Sequence, residues 1–143
     1  MIALSDFRNQ LDLSKPFDYG WLLHLFVDAC WDELEIPRFR TYHETLLPNK
    51  EWFLDYLEEI FRLSCCLYRT NVECHRAAER LRSGTEDCMN TNLPVDLNRI
   101  HHYSDRVLSR HETSNPKNEP SFYSAHDVDG FVEETIGRFI AWQ

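Results

Sequence analysis

The run Tyr19-Gly20-Trp21-Leu22-Leu23-His24-Leu25-Phe26-Val27-Asp28-Ala29-Cys30-Trp31 constrains this chain more than any other stretch. Between the two tryptophans, His24 and Asp28 are the only ionisable groups apart from a cysteine. A helix that is apolar all round belongs inside a core. Residues four apart lie one turn above the other on a single helix face, so His24 and Asp28 form a pair there. Burying such groups unpartnered costs roughly 2–7 kcal/mol each in an apolar medium. The sequence therefore predicts a buried polar pair in need of satisfaction. A metal ion is one of the few partners that takes both a neutral imidazole and a carboxylate.

The rest of the chain supplies the core for that helix. Apolar residues make up 43% and aromatic residues 13%, which argues for a packed domain and against disorder. Only four Gly and six Pro occur in 143 residues, and no segment alternates apolar and polar for long, so the expected class is all-α. The length suits one domain over 1–143. The net charge of −9 argues against nucleic acid as the main partner, because phosphate contacts need a surplus of Lys and Arg.

The N-terminus carries Asp6, Arg8 and Asp12 and lacks the pattern of a signal peptide, and His24 and Asp28 interrupt the longest apolar run, so no transmembrane span is expected. Five cysteines, an odd number without Cys-x-x-Cys spacing, argue against a disulfide framework or a cysteine zinc site. The expected compartment is the reducing cytoplasm.

Periodicity divides the chain into four or five helices around a buried central helix at about 18–34. Residues 1–16 are ambiguous, with Ile2, Leu4, Phe7 and Leu11 suited to one side of a short helix begun by Ser5. Asp18 is the expected N-cap of the central helix, which should end before Pro37. Residues 36–49, with two prolines, read as a long loop packed by Phe39, Tyr42 and Leu46. A second long helix is expected over 49–69 and a weaker one over 72–82, broken from it at Asn71 and stopped by Gly84. After a polar connection at 84–92, Pro94 suits the first turn of another helix. A turn-rich stretch over 112–123 leads to the last helix, capped by Ser124 with Asp127 three residues on. Its expected buried stripe is Val128, Phe131, Val132, Ile136, Phe139 and Ile140.

At about 100° per residue, Gly20, Trp31 and Glu35 fall near the direction of His24 and Asp28, with Asp32 a little to one side. His24, Asp28, Asp32 and Glu35 are thus the candidate metal ligands, and zinc the candidate ion. Without metal, His24 and Asp28 would bond each other and a crossing backbone group. Nothing resembles a nucleophile elbow, a P-loop or a dinucleotide fingerprint. His101 and His102 diverge by about 100°, so one should pack and the other face water. His111 reads as a C-terminal cap favoured by the helix dipole. The Cys65–Cys66 pair falls on an apolar face, where thiols are inert.

The 19–31 segment resembles the central segment of bacterial zinc-dependent phospholipase C-like proteins, which carry Gly-Tyr-Leu-x-His-Leu-x-x-Asp-x-x-Trp on a buried helix; here the Gly and the aromatic are transposed, as Tyr19-Gly20. The stretch Phe122-Tyr123-Ser124-Ala125-His126-Asp127-Val128-Asp129-Gly130-Phe131 is similar to the start of that family's closing helix. The resemblance implies an all-α fold, metal ligation by His24 and Asp28, and hydrolysis of a phosphoester, in particular of a lipid. Family members bear further His and Asp ligands in an N-terminal portion that this sequence does not include. Three outcomes follow: a truncated product, a non-catalytic relative, or a smaller site completed from Asp32, Glu35, His43, His101 and His102. The competing reading is a non-catalytic helical module for partner binding or self-association as a homo-oligomer, in which His24 and Asp28 form a buried structural pair.

Overall fold

The computed structural model describes residues 2–83, 91, 96–116 and 118–143. Among them are six helices and no strand: α1 (Ile2–Arg8), α2 (Pro16–Leu46), α3 (Trp52–Thr70), α4 (Val72–Ser83), α5 (Leu97–Thr113) and α6 (Ala125–Trp142). The expected all-α, single-domain bundle is what the chain forms. Gly84, Pro94 and most of the expected 84–92 connection lie outside the described residues.

The central helix is longer than expected at both ends. Lys15 is its N-cap and Pro16 its first residue, where a missing N–H costs nothing. Asp18 sits inside the first turn instead of capping it. It is 1% exposed and accepts hydrogen bonds from the Asp12 N–H at 3.0 Å and the Thr91 hydroxyl. Pro37 does not end α2, which runs on to Leu46 in place of the expected loop. A proline inside a helix removes one backbone bond and costs about 3 kcal/mol. Burial of Phe39 and His43 beyond it offsets that cost.

The buried residues of α2 explain how one helix serves two cores. Asp18, Leu22, Phe26 and Cys30 follow at steps of four, and then Glu35, Phe39 and His43 follow after a step of five. Each step of four turns the stripe by roughly 40°, and the step of five turns it by roughly 140°. The N-terminal half packs Leu22, Phe26 and Cys30 against Phe131 and Phe139 of α6, with Leu4 and Phe7 of α1 beside them. The C-terminal half packs Phe39 against Tyr56 and Leu63 of α3 and Tyr123. Trp31 lies at the change-over, 4.8 Å from Phe131 and 5.4 Å from Tyr123 between ring centroids. α4 and α5 pack on α3 and on each other.

Local signals set the other boundaries. The Asn71 side chain accepts from the Glu73 and Cys74 N–H groups at 2.9 and 3.2 Å, which ends α3 and starts α4. The expected capping box of α6 is present: Ser124 Oγ accepts from the Asp127 N–H, and Asp127 accepts from the Ser124 N–H at 2.9 Å. The expected stripe of α6 is only partly buried. Phe131 and Phe139 are core, while Val132, Ile136 and Ile140 are 45%, 53% and 69% exposed. α6 touches α2 alone among the helices it meets substantially, so one side of it is covered and the neighbouring side is not.

Candidate functional site

His24 and Asp28 form the expected pair, with Nε2 3.4 Å from Oδ2, but not in the core. Their side chains are 67% and 58% exposed. This corrects the reading of a buried polar pair and of a helix covered all round. His24 is two residues from both Leu22 and Phe26, hence roughly 200° around the helix from each. α1 and α6 cover the Leu22–Phe26 side, so the opposite side faces water. Farther along, the step of five brings the buried stripe onto the His24–Asp28 direction, and there α3 covers it. One helix face is therefore open at His24 and closed at Glu35.

The transition between open and closed is a cleft of about 510 Å³, lined by Asp28, Trp31 and Asp32 of α2, by Tyr56, Ile60, Leu63, Ser64 and Leu67 of α3, and by Val128. Trp31 Nε1–H donates to the Tyr56 hydroxyl at 2.8 Å, which fixes the indole in the wall. Burial pushes the Tyr56 phenol up from its ordinary value, so it stays neutral. The cleft thus has an apolar floor and an acidic edge.

Of the four expected ligands, the structure pairs His24 with Asp28 and sets Asp28 and Asp32 on the cleft. Glu35 is placed elsewhere. It is 6% exposed and bound to the Arg38 guanidinium at 2.7 Å, and Arg38 also reaches Asp127 at 3.3 Å. His43 is buried in a different cleft, where Nε2 lies 2.9 Å from Asp55 Oδ2. Lys50 Nζ meets the same oxygen at 2.6 Å, and His43 Nδ1 is buried with no hydrogen-bond partner. His101 is half-buried and His102 exposed, as their spacing predicts. Among the described residues, no three His, Cys, Asp or Glu side chains are gathered as a metal would need.

One arrangement was not legible in the sequence. Ser64, on the cleft, and His111, on α5, meet with Oγ and Nε2 2.9 Å apart. His111 Nδ1 lies 2.8 Å from the Val107 carbonyl oxygen. A carbonyl only accepts, so Nδ1 carries the hydrogen, and the ring in its neutral form presents a bare Nε2 to the Ser64 hydroxyl. The expected C-terminal role of His111 holds only in that it bonds a carbonyl of its own last turns. Burial raises the thiols of Cys30, Cys65 and Cys74 above their ordinary value, which makes these three poor nucleophiles.

No helix among the described residues is long and apolar enough to cross a membrane. Comparison with protein-family models, with curated proteins and with solved structures finds no match to this chain.

Proposed function

We propose that the open face of α2, with His24, Asp28 and the adjoining cleft, is one half of a metal-assisted phosphoester hydrolase centre. The observation that supports this most is the placement of His24 and Asp28. They are an imidazole and a carboxylate one turn apart, exposed, 3.4 Å from each other, and at the edge of an apolar cleft. The donor set suits zinc, and both side chains are accessible. The pair fits two protein positions of such a centre; the other positions fall to water, substrate or further polypeptide. Bound there, zinc would supply a water of lowered pKa and a Lewis acid for a phosphoryl oxygen.

Charge supports the same reading. Asp28 and Asp32 line the cleft without Lys or Arg, so a phosphate group is repelled unless a cation neutralises them. The apolar wall of Trp31, Ile60 and Leu63 then suits the hydrocarbon part of a lipid ester.

The test is the metal content of protein purified without added metal, for the parent, His24→Ala and Asp28→Ala. Exposed ion pairs contribute about 0–1 kcal/mol, so both variants fold and a loss of metal is a loss of ligands. Zinc near one per chain in the parent and none in either variant is the expected result; a metal-free parent after zinc addition and dialysis refutes it. A second reading, a helical association module, draws support from the exposed Val132–Ile136–Ile140 stripe. It predicts a concentration-dependent oligomer by light scattering that Ile136→Glu abolishes.

A further inference from the structure

We infer that Ser64 is an activated nucleophile, with His111 as its general base, and that it takes the acyl group of uncharged carboxylic esters bound in the α2–α3 cleft. This goes beyond the metal-centre reading and does not depend on it. A serine becomes nucleophilic when a base lies within hydrogen-bond reach and a third group orients that base. Here the base is 2.9 Å away, and the Val107 carbonyl at 2.8 Å from Nδ1 orients it.

The Ser64 hydroxyl has two acceptors to choose from. Its Oγ is 2.9 Å from the Phe61 carbonyl as well as 2.9 Å from His111 Nε2. With His111 neutral, Nε2 has no hydrogen, so that contact is a hydrogen bond only if Ser64 donates to it. With His111 protonated, Nε2–H donates to Oγ and the Ser64 hydrogen turns to Phe61. Transfer of the single hydroxyl proton from Oγ to Nε2 therefore needs only rotation of the hydroxyl hydrogen from the Phe61 carbonyl to the imidazole, with no side-chain movement.

Ser64 shares its cleft with Trp31, Ile60, Leu63 and Leu67, which suit a short apolar acyl chain, while Asp28 and Asp32 disfavour an anionic one. In the reaction Ser64 Oγ attacks the ester carbonyl carbon as its proton passes to His111 Nε2. The bond from that carbon to the alcohol oxygen breaks, and the alcohol leaves with the proton from Nε2. The acyl-Ser64 ester is then hydrolysed by water, activated by the same nitrogen.

The probe is an uncharged alkyl fluorophosphonate, which loses fluoride as it bonds to an activated serine. It is applied to the full chain after chelator treatment, so that metal at His24 plays no part. One adduct per chain, mapped to Ser64, is expected in native protein. It should be absent in Ser64→Ala and in protein unfolded in urea, and formed about 100-fold more slowly in His111→Gln. Para-nitrophenyl butyrate should give a burst of one nitrophenol per chain, and an ester with a carboxylate on its acyl chain should give none. Labelling no faster in native than in unfolded protein overturns the inference. So does an adduct on another residue, or parent-like labelling of a His111→Gln chain whose circular dichroism is native.

Discussion

Replacing Glu59 should unfasten the segment that leads into α6. Glu59 is 2% exposed, and its carboxylate accepts from the N–H groups of Ser121, Phe122 and Tyr123 at 2.6, 2.5 and 3.1 Å and from the Ser121 hydroxyl at 3.0 Å. Three successive backbone donors thus converge on one side chain of α3, and the next residue, Ser124, caps α6. In Glu59→Ala the Ser121 N–H can turn to water because Ser121 is exposed, but Tyr123 is 2% exposed and its donor cannot. Each buried donor left unpaired costs about 1–3 kcal/mol, so the loss expected is about 3–4 kcal/mol. For a chain of this length that lowers Tm by roughly 8–12 °C. Glu59→Gln keeps an acceptor oxygen but loses charge assistance, and should cost about 1–2 kcal/mol. The assay is urea unfolding with the slope held common to all variants. Glu58→Gln serves as the control, because Glu58 is 61% exposed and its pair with Arg62 is a surface one. A Glu59→Ala midpoint within experimental error of the Glu58→Gln midpoint would refute the reasoning.

Pro37→Ala restores an N–H inside α2 at an exposed position and should stabilise the chain by about 1–2 kcal/mol, read as a higher urea midpoint; a lower midpoint would mean that the proline ring itself is packed. The Asp55 carboxyl is held below the usual carboxylate range by its bonds to Lys50 and then His43. Its contribution to stability is therefore full above about pH 4, where the unfolded carboxyl ionises, and is lost as pH falls through the lower folded value. Lys50→Met should flatten that acid limb of midpoint against pH, and an unchanged limb would count against the pairing.

Local chemistry was the legible part of the fold. The Ser124–Asp127 box, the break at Asn71 and the course of α3 follow from side chains that act within a few residues of themselves, and the structure has each of them. The errors fall where a distant partner decides. Pro37 reads as a stop because its local cost is certain, whereas the contacts of Phe39 that offset it come from elsewhere in the chain, Tyr56 on α3 and Tyr123 in the segment before α6. Val132, Ile136 and Ile140 have the right spacing for burial, yet spacing only states that a face is apolar and not that another element arrives to cover it.

The same distinction governs the site. His24 and Asp28 share a face at any degree of burial, so the pairing was legible; their exposure was not, because it depends on where α3 begins to cover α2. That difference changes what the pair costs. Two polar groups sealed in a core demand satisfaction, and a structural bond between them is the simplest way to provide it. Two polar groups in water demand nothing and gain little from each other, about 0–1 kcal/mol. Solvation of the open side of α2 accounts for polar side chains there, and the pair adds little to the stability of the helix. What the exposed pair retains is access to the cleft beside it, where Asp28, Asp32 and Ser64 converge from two helices. Removing His24 and Asp28 together should leave the urea midpoint within about 1 kcal/mol of the parent while abolishing metal uptake. A large loss of stability would return the pair to a structural role.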